Sequence, residues 1–146
     1  MLSKFWNHSP LGLFKLIFLL IKLSLIYLYE RINSFFWKLN LAKCGRNLLI
    51  QNGSQIRYPK NIFLSDNTSI GRNVVISSEC NNSILDSKQN LIIGKEVTLD
   101  FTGDVKIGEN VLISEKSVIL THDHGYNPKS IPIKYKLTIG DNVWIG

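Results

Sequence analysis

The sequence predicts an all-β chain coiled as a parallel β-helix of six-residue repeats, preceded by one apolar α-helix. Three observations carry that expectation. An apolar residue returns every six positions: Leu64, Ile70 and Ile76; Ile93 and Leu99; Ile107, Ile113 and Ile119; Ile139 and Ile145. Ile50, Ile56 and Ile62 keep the same step further upstream. Gly or a small polar residue usually follows, as in Ile70-Gly71, Ile76-Ser77 and Ile113-Ser114. Finally, one pattern, I-G-x-[NE]-V-x-[IL]-x, recurs as IGRNVVIS, IGKEVTLD, IGENVLIS and IGDNVWIG. A helix repeats every ~3.6 residues and a strand about every 2, so neither produces this beat. Short parallel strands wound into a prism do, because each face must send one apolar side chain to the shared axis.

Composition sets the outer bounds. With 45% hydrophobic residues in 146, the chain can bury one core and carry an appendage. The net charge of +6 is unevenly placed. Residues 1–46 hold seven basic residues (Lys4, Lys15, Lys22, Arg31, Lys38, Lys43, Arg46) against one acid, Glu30. From Asn47 onward ten bases meet ten acids, so the repeat region is neutral. Nucleic acid is therefore not an expected partner, since phosphate contacts need a basic surface. Cys44 and Cys80 are far apart in sequence and read as two free thiols in a reducing cytosol.

Residues 1–43 form the N-terminal segment. Positions 11–29, LGLFKLIFLLIKLSLIYLY, are about as long as a bilayer-crossing helix. Ser9-Pro10 reads as an N-cap with Pro in the first turn. Lys15 and Lys22 are seven apart, so they share one narrow stripe with His8. Trp6, Tyr27, Tyr29, Phe35, Phe36 and Trp37 flank the run like interfacial anchors. The expectation is a helix lying in or steeply entering a membrane interface through residues 1–38, its lysines snorkelling to the headgroups. The alternative is a helix packed on the coil or on a partner subunit. No small-residue cleavage site follows, which argues against a secretory signal. If the helix spans, the basic residues after it place the repeat domain on the cytosolic side.

Residues 44–146 hold the repeats, with Asn, Asp, Ser and Gly supplying tight corners. The beat breaks once. It runs through Ile113 and Ile119, stops at Thr121 and resumes at Ile139. The excursion THDHGYNPKSIPIKYKL carries Gly125, Pro128 and Pro132 and is not regular coil. Loops leaving a rigid scaffold are where chemistry is usually placed.

The repeats, with IGENVLISEKSVILTHDHGYNP followed by LTIGDNVWIG, resemble the hexapeptide-repeat acyltransferases over roughly Cys44 to Gly146. Within that group they look like the branch that O-acetylates sugars, which includes galactoside, maltose and surface-polysaccharide acetyltransferases. The resemblance implies a left-handed coil, acetyl-CoA as donor, a sugar or glycan acceptor, no metal and a homotrimer with sites between neighbouring prisms. A membrane-side helix would then suit an acceptor in polysaccharide or lipopolysaccharide biosynthesis.

Transfer of an acetyl group to a hydroxyl needs a base, and neutral imidazole suits that task. Two of the three histidines, His122 and His124, lie at the break. Counted from Ile113 with the family's spacing, the resemblance makes His124 the general base. His122 is expected to orient the loop or the substrate, and Asp123 to cap the turn. Asp100 ends IGKEVTLD where related enzymes place Asp or Asn against the acceptor. It is expected either to bind sugar hydroxyls or to hold an imidazole tautomer, the alternative being a solvated corner. Asp104 reads as a turn residue. Trp144 of VWIG is the expected wall for the pantetheine arm of coenzyme A, though packing would explain a bare Trp there.

Gly146 falls inside a repeat, so the β-helix domain is expected to be truncated at its C-terminus, which leaves the activity of the chain an open expectation. Two further readings compete: a structural or binding β-helix without catalysis, and an N-acetyltransferase for an amino sugar or amino acid. A zinc site of the carbonic-anhydrase kind needs three imidazoles. The third histidine, His8, lies outside the coil, so no metal is expected.

Overall fold

The computed structural model describes residues 10–127 and 129–146. The readings of Lys4, Trp6, His8, Ser9 and Pro128 lie outside them. Helix α1 (Pro10–Asn40) leads into four full coils. Coil one carries β1 (Lys43–Cys44), β2 (Leu49–Ile50) and β3 (Gln55–Ile56). Coil two carries β4 (Ile62–Leu64), β5 (Ser69–Ile70) and β6 (Val75–Ser77). Coil three has β7 (Leu85–Ser87), β8 (Leu91–Ile93) and β9 (Thr98–Asp100), and coil four β10 (Val105–Ile107), β11 (Val111–Ile113) and β12 (Val118–Ile119). The hairpin β13 (His122–Asp123) and β14 (Ile133–Lys134) leaves the prism. Then β15 (Leu137–Ile139) and β16 (Trp144–Ile145) resume it.

Strands from successive coils pair in parallel into three sheets: β1-β4-β7-β10-β15, β2-β5-β8-β11-β16 and β3-β6-β9-β12. This is the left-handed parallel β-helix expected, with a helix before it. The apolar beat fills its axis. Ile50, Ile70, Ile93 and Ile113 stack in register on the second sheet, each at most 1% exposed. Each such burial contributes about 1.5–3 kcal/mol before chain entropy is subtracted. The step is not uniformly six. At the corner leaving the third sheet it is eight, as from Ile56 to Leu64 and from Leu99 to Ile107. Phe101, fully buried, fills that wider corner.

A ladder of asparagine amides marks another corner. Asn47 donates to Asn67 at 2.9 Å, Asn67 to Asn90 at 2.9 Å, Asn90 to Asn110 at 2.8 Å and Asn110 to Asn142 at 3.0 Å. All five have φ between 55° and 61°, a left-handed conformation that Asn tolerates better than most residues. The rungs are 20, 23, 20 and 32 residues apart in sequence. Coil two to coil three therefore takes three extra residues, and the last step takes twelve.

Helix α1 has two halves of different character. Its C-terminal part seats Glu30, Asn33, Ser34 and Trp37 on coil one, a stripe at helical spacing. There Ser34 Oγ accepts the Ile50 N–H at 2.9 Å, and Asn33 Nδ2 donates to the Ile50 carbonyl at 2.8 Å. The Glu30 carboxylate meets the Arg72 guanidinium at 2.9 Å. Ser34 and Asn33 thereby satisfy the outer edge of β2, which has no strand beneath it. The N-terminal part projects free, with Leu13, Phe14, Phe18, Leu25 and Tyr27 all at least 60% exposed.

Candidate functional site

Both insertions fall at the corner leaving the third sheet. The three extra residues lengthen the loop between β6 and β7, which holds Glu79. The twelve form the hairpin excursion between β12 and β15. The two loops stand one above and one below the turn Phe101–Asp104 and meet at Glu79, Asp100, His122 and His124.

Asp100 is the buried foot of the site, 4% exposed. Its Oδ1 accepts from Thr102 Oγ1 at 2.6 Å. Its Oδ2 accepts from Thr121 Oγ1 at 2.6 Å, from the Thr121 N–H at 2.9 Å and faces His122 Nδ1 at 3.0 Å. Burial would push this carboxyl up, but the bonds from Thr102, Thr121 and His122 together outweigh it and hold it below the usual carboxylate range. In return, the Asp100 bond raises His122 above the ordinary imidazole value, against a smaller opposing effect of burial. Thr121 Oγ1 also accepts the Gly103 N–H at 2.9 Å, tying the turn to the start of the excursion. A Cβ on Gly103 would strike the carbonyl oxygens of Thr121 and Tyr135, so this close approach requires glycine.

His124 is held differently. Its Nδ1 lies 3.0 Å from the Ser130 carbonyl, and Ser130 Oγ donates to the His124 carbonyl at 2.6 Å. Asp123 Oδ1 accepts the Gly125 N–H at 2.9 Å, which shapes the turn as expected of it. The two imidazoles sit edge to face with centroids 5.3 Å apart. Glu79 closes the group: its Oε2 is 3.1 Å from His124 Nε2, and its Oε1 is 3.4 Å from His122 Nε2.

The structure thus brings three of the four sequence-chosen residues together. Asp100 contacts His122 rather than His124, and its carboxylate is enclosed by protein donors. Asp104 is a turn residue, with φ 65° and its Oδ1 accepting the Ile84 N–H at 2.9 Å. Trp144 stands apart, on β16 of the second sheet, 75% exposed, its indole N–H donating to Ser114 Oγ at 2.5 Å. Glu79 is the member that sequence reasoning missed. The one available signal was the three-residue excess that loops SSECNNS out of the beat beside Asp100. Two open depressions of about 300 Å³ lie on the sheet of β1, bordered by Lys43, Ser65 and either Asp86 or Asp66; neither includes a histidine.

The fold and its broken corner define a left-handed β-helix with a histidine-bearing excursion. No protein-family model matches the chain, and no curated protein does. Among solved structures it is similar to a mutant of AntD, an N-acyltransferase from Bacillus cereus, in complex with dTDP-4-amino-4,6-dideoxyglucose and coenzyme A. The match has a TM-score of 0.64 at 16% identity and covers 78% of this chain. The chain spans 65% of the length of that structure. At this identity the likeness is one of fold.

Proposed function

We propose that this chain is an acyl-CoA-dependent transferase that places an acetyl group on a sugar hydroxyl. The observation that carries the reading is the His124 Nδ1 contact with the Ser130 carbonyl at 3.0 Å. A carbonyl accepts only, so the neutral ring keeps its proton on Nδ1 and leaves the Nε2 lone pair on the side of the half-exposed Glu79 carboxylate. There Nε2 takes the acceptor's hydroxyl proton as that oxygen attacks the thioester carbonyl. The tetrahedral intermediate collapses to the sugar ester and expels the coenzyme A thiolate, which recovers the proton from the His124 imidazolium. His122 and Asp100 act as a positioning pair, the Asp100 carboxylate fixing the His122 ring edge to face against His124. Trp144 remains the proposed wall for the pantetheine arm.

An amino-sugar acceptor is the second reading, favoured by the fold likeness to an N-acyltransferase. One panel separates the two: acetyl-CoA with hydroxyl sugars and with amino sugars, scored by free thiol release and product mass. His124→Ala is expected to lower the rate roughly 10²–10⁴-fold with the fold intact. A folded wild-type chain that acetylates nothing in the panel would favour a binding or structural role instead.

The exposed apolar half of α1 supports anchoring at the inner face of a membrane, where the acceptor would be a glycan or its precursor. A trimer is supported by the outward column Ile92, Leu112 and Trp144, adjacent in register on the second sheet and 47%, 36% and 75% exposed.

A further inference from the structure

Glu79 faces both His122 and His124, and the acyl-transfer reading gives that carboxylate no role. One ligand atom from each, two imidazole Nε2 atoms and a carboxylate oxygen, lie within 4.8 Å of one another. Both Nδ1 atoms are already committed to groups that only accept: Asp100 Oδ2 at 3.0 Å and the Ser130 carbonyl at 3.0 Å. That arrangement selects the Nδ1–H tautomer in each neutral ring. Both Nε2 lone pairs then point at Glu79, a third group with lone pairs and no proton. Turning either tautomer over moves the conflict to the Nδ1 side. Either a proton on one ring or a metal ion at the centre removes it, and a cobalt titration separates the two.

The dimensions suit a specific class of ion. A tetrahedral ion with bonds of about 2.0–2.2 Å has ligand-to-ligand edges of roughly 3.3–3.6 Å. Glu79 turns one oxygen to each ring, Oε1 at 3.4 Å from His122 Nε2 and Oε2 at 3.1 Å from His124 Nε2, so each imidazole–carboxylate approach is near one such edge while the three ligand atoms stay within 4.8 Å. An Asp carboxylate behind one ligating imidazole and a backbone carbonyl behind the other are the usual outer partners of metal-bound histidines. Thr102 and Thr121 in turn fix the Asp100 carboxylate. Two nitrogens and one carboxylate oxygen favour zinc among available divalent ions, with calcium and magnesium disfavoured. Glu79 is 45% exposed at its side chain and His124 30%, so an ion has an entry path and a fourth position facing solvent.

We propose that Glu79, His122 and His124 bind one divalent transition-metal ion of the zinc class. We infer further that its occupancy switches acyl transfer off, because the lone pair of His124 Nε2 cannot serve ion and substrate together. The metal site stands on geometry alone; only the inhibition rests on the acyl-transfer reading.

The test uses the untagged 146-residue chain in detergent, stripped with chelator and titrated with Co²⁺ and then Zn²⁺. The expected result is one Co²⁺ per chain with the visible bands of a tetrahedral site, displaced by one Zn²⁺. Glu79→Gln should abolish one-to-one uptake while its metal-free thermal unfolding matches wild type, since the side chain makes no bond to the prism. Asp100→Asn should weaken zinc about 10–100-fold, as outer-partner changes do. No uptake by folded wild type, or equal uptake by Glu79→Gln, overturns the site. Zinc should suppress thiol release in wild type, and chelator should restore it. Bound zinc with undiminished transfer overturns the inhibition and leaves the site standing. Bound zinc with no transfer under any condition upholds the site and overturns the acyl-transfer reading.

Discussion

Asp66 and Asp141 perform the same task one end of the prism from the other. Each accepts a backbone N–H from the coil below at 2.8 Å, from Arg46 and Glu109 respectively, just after a glycine that lets the chains approach. Each also meets a cation, Arg46 at 2.9 Å and Lys88 at 3.4 Å. The Arg46 N–H bond, followed by the guanidinium contact, pulls the Asp66 carboxyl below its ordinary value; the Glu109 N–H does the same for Asp141. A folded value below the unfolded one means the charge stabilises the fold fully above the unfolded pKa of about 3.9. That stability is lost as pH falls through the folded value. Asp66→Asn keeps one oxygen for the Arg46 N–H and removes the charge together with the oxygen that meets the guanidinium. Its urea midpoint should fall below wild type at neutral pH, and the gap should close once pH drops beneath the carboxylate range. A gap that persists in acid would assign the effect to packing. The difference will be small, because both partners are solvated.

At the scale of elements, the join between α1 and coil one is made by polar atoms. Ser34 is 3% exposed and Ile50 fully buried, so Ser34→Ala leaves the Ile50 N–H without an acceptor in a dry place. The expected cost is about 1–3 kcal/mol, read as a lower urea midpoint with unchanged slope. Phe18→Ala, at a side chain 70% exposed, should leave that midpoint where it is. This contrast also shows what the sequence could tell. The strands were legible because one apolar residue per face must reach a shared axis, and Ile70, Ile93 and Ile113 obey that without exception. The eight-residue corner was not, since a corner's length is set by its own loop and Phe101 lies off the beat. Nor was the docking stripe of α1, because Glu30, Asn33 and Ser34 bind by hydrogen bonds that hydropathy does not register. His122 and His124 stood out because they interrupt a repeat. Glu79 did not, because its place beside them depends on how two loops of unequal length fold over one turn.

For the whole molecule, the bare N-terminal half of α1, from Gly12 to Tyr29, calls for a cover. The 31-residue helix is about 46 Å long. Its apolar stretch is long enough to cross a membrane by length and composition, and none of it is buried against the prism. Were a protein surface the natural cover, one face would be apolar and the other charged. Instead Lys15, Lys22 and Ser24 alone interrupt it between Gly12 and Tyr29, and the other side chains are aliphatic or aromatic. A bilayer suits that pattern, and Arg31, Lys38, Lys43 and Arg46 just beyond it suit an anionic leaflet. The structure also says where to cut. Removing residues 1–29 deletes the exposed half and keeps Glu30, Asn33, Ser34 and Trp37 seated on coil one, whereas removing the whole helix would uncover the edge of β2. The full chain should float with vesicles containing phosphatidylglycerol and less well with neutral ones. The shortened chain should stay in the dense fraction while unfolding at the same urea concentration. Equal flotation of both, with folding preserved, would move membrane contact to the prism itself; no flotation of either would leave α1 to a protein partner.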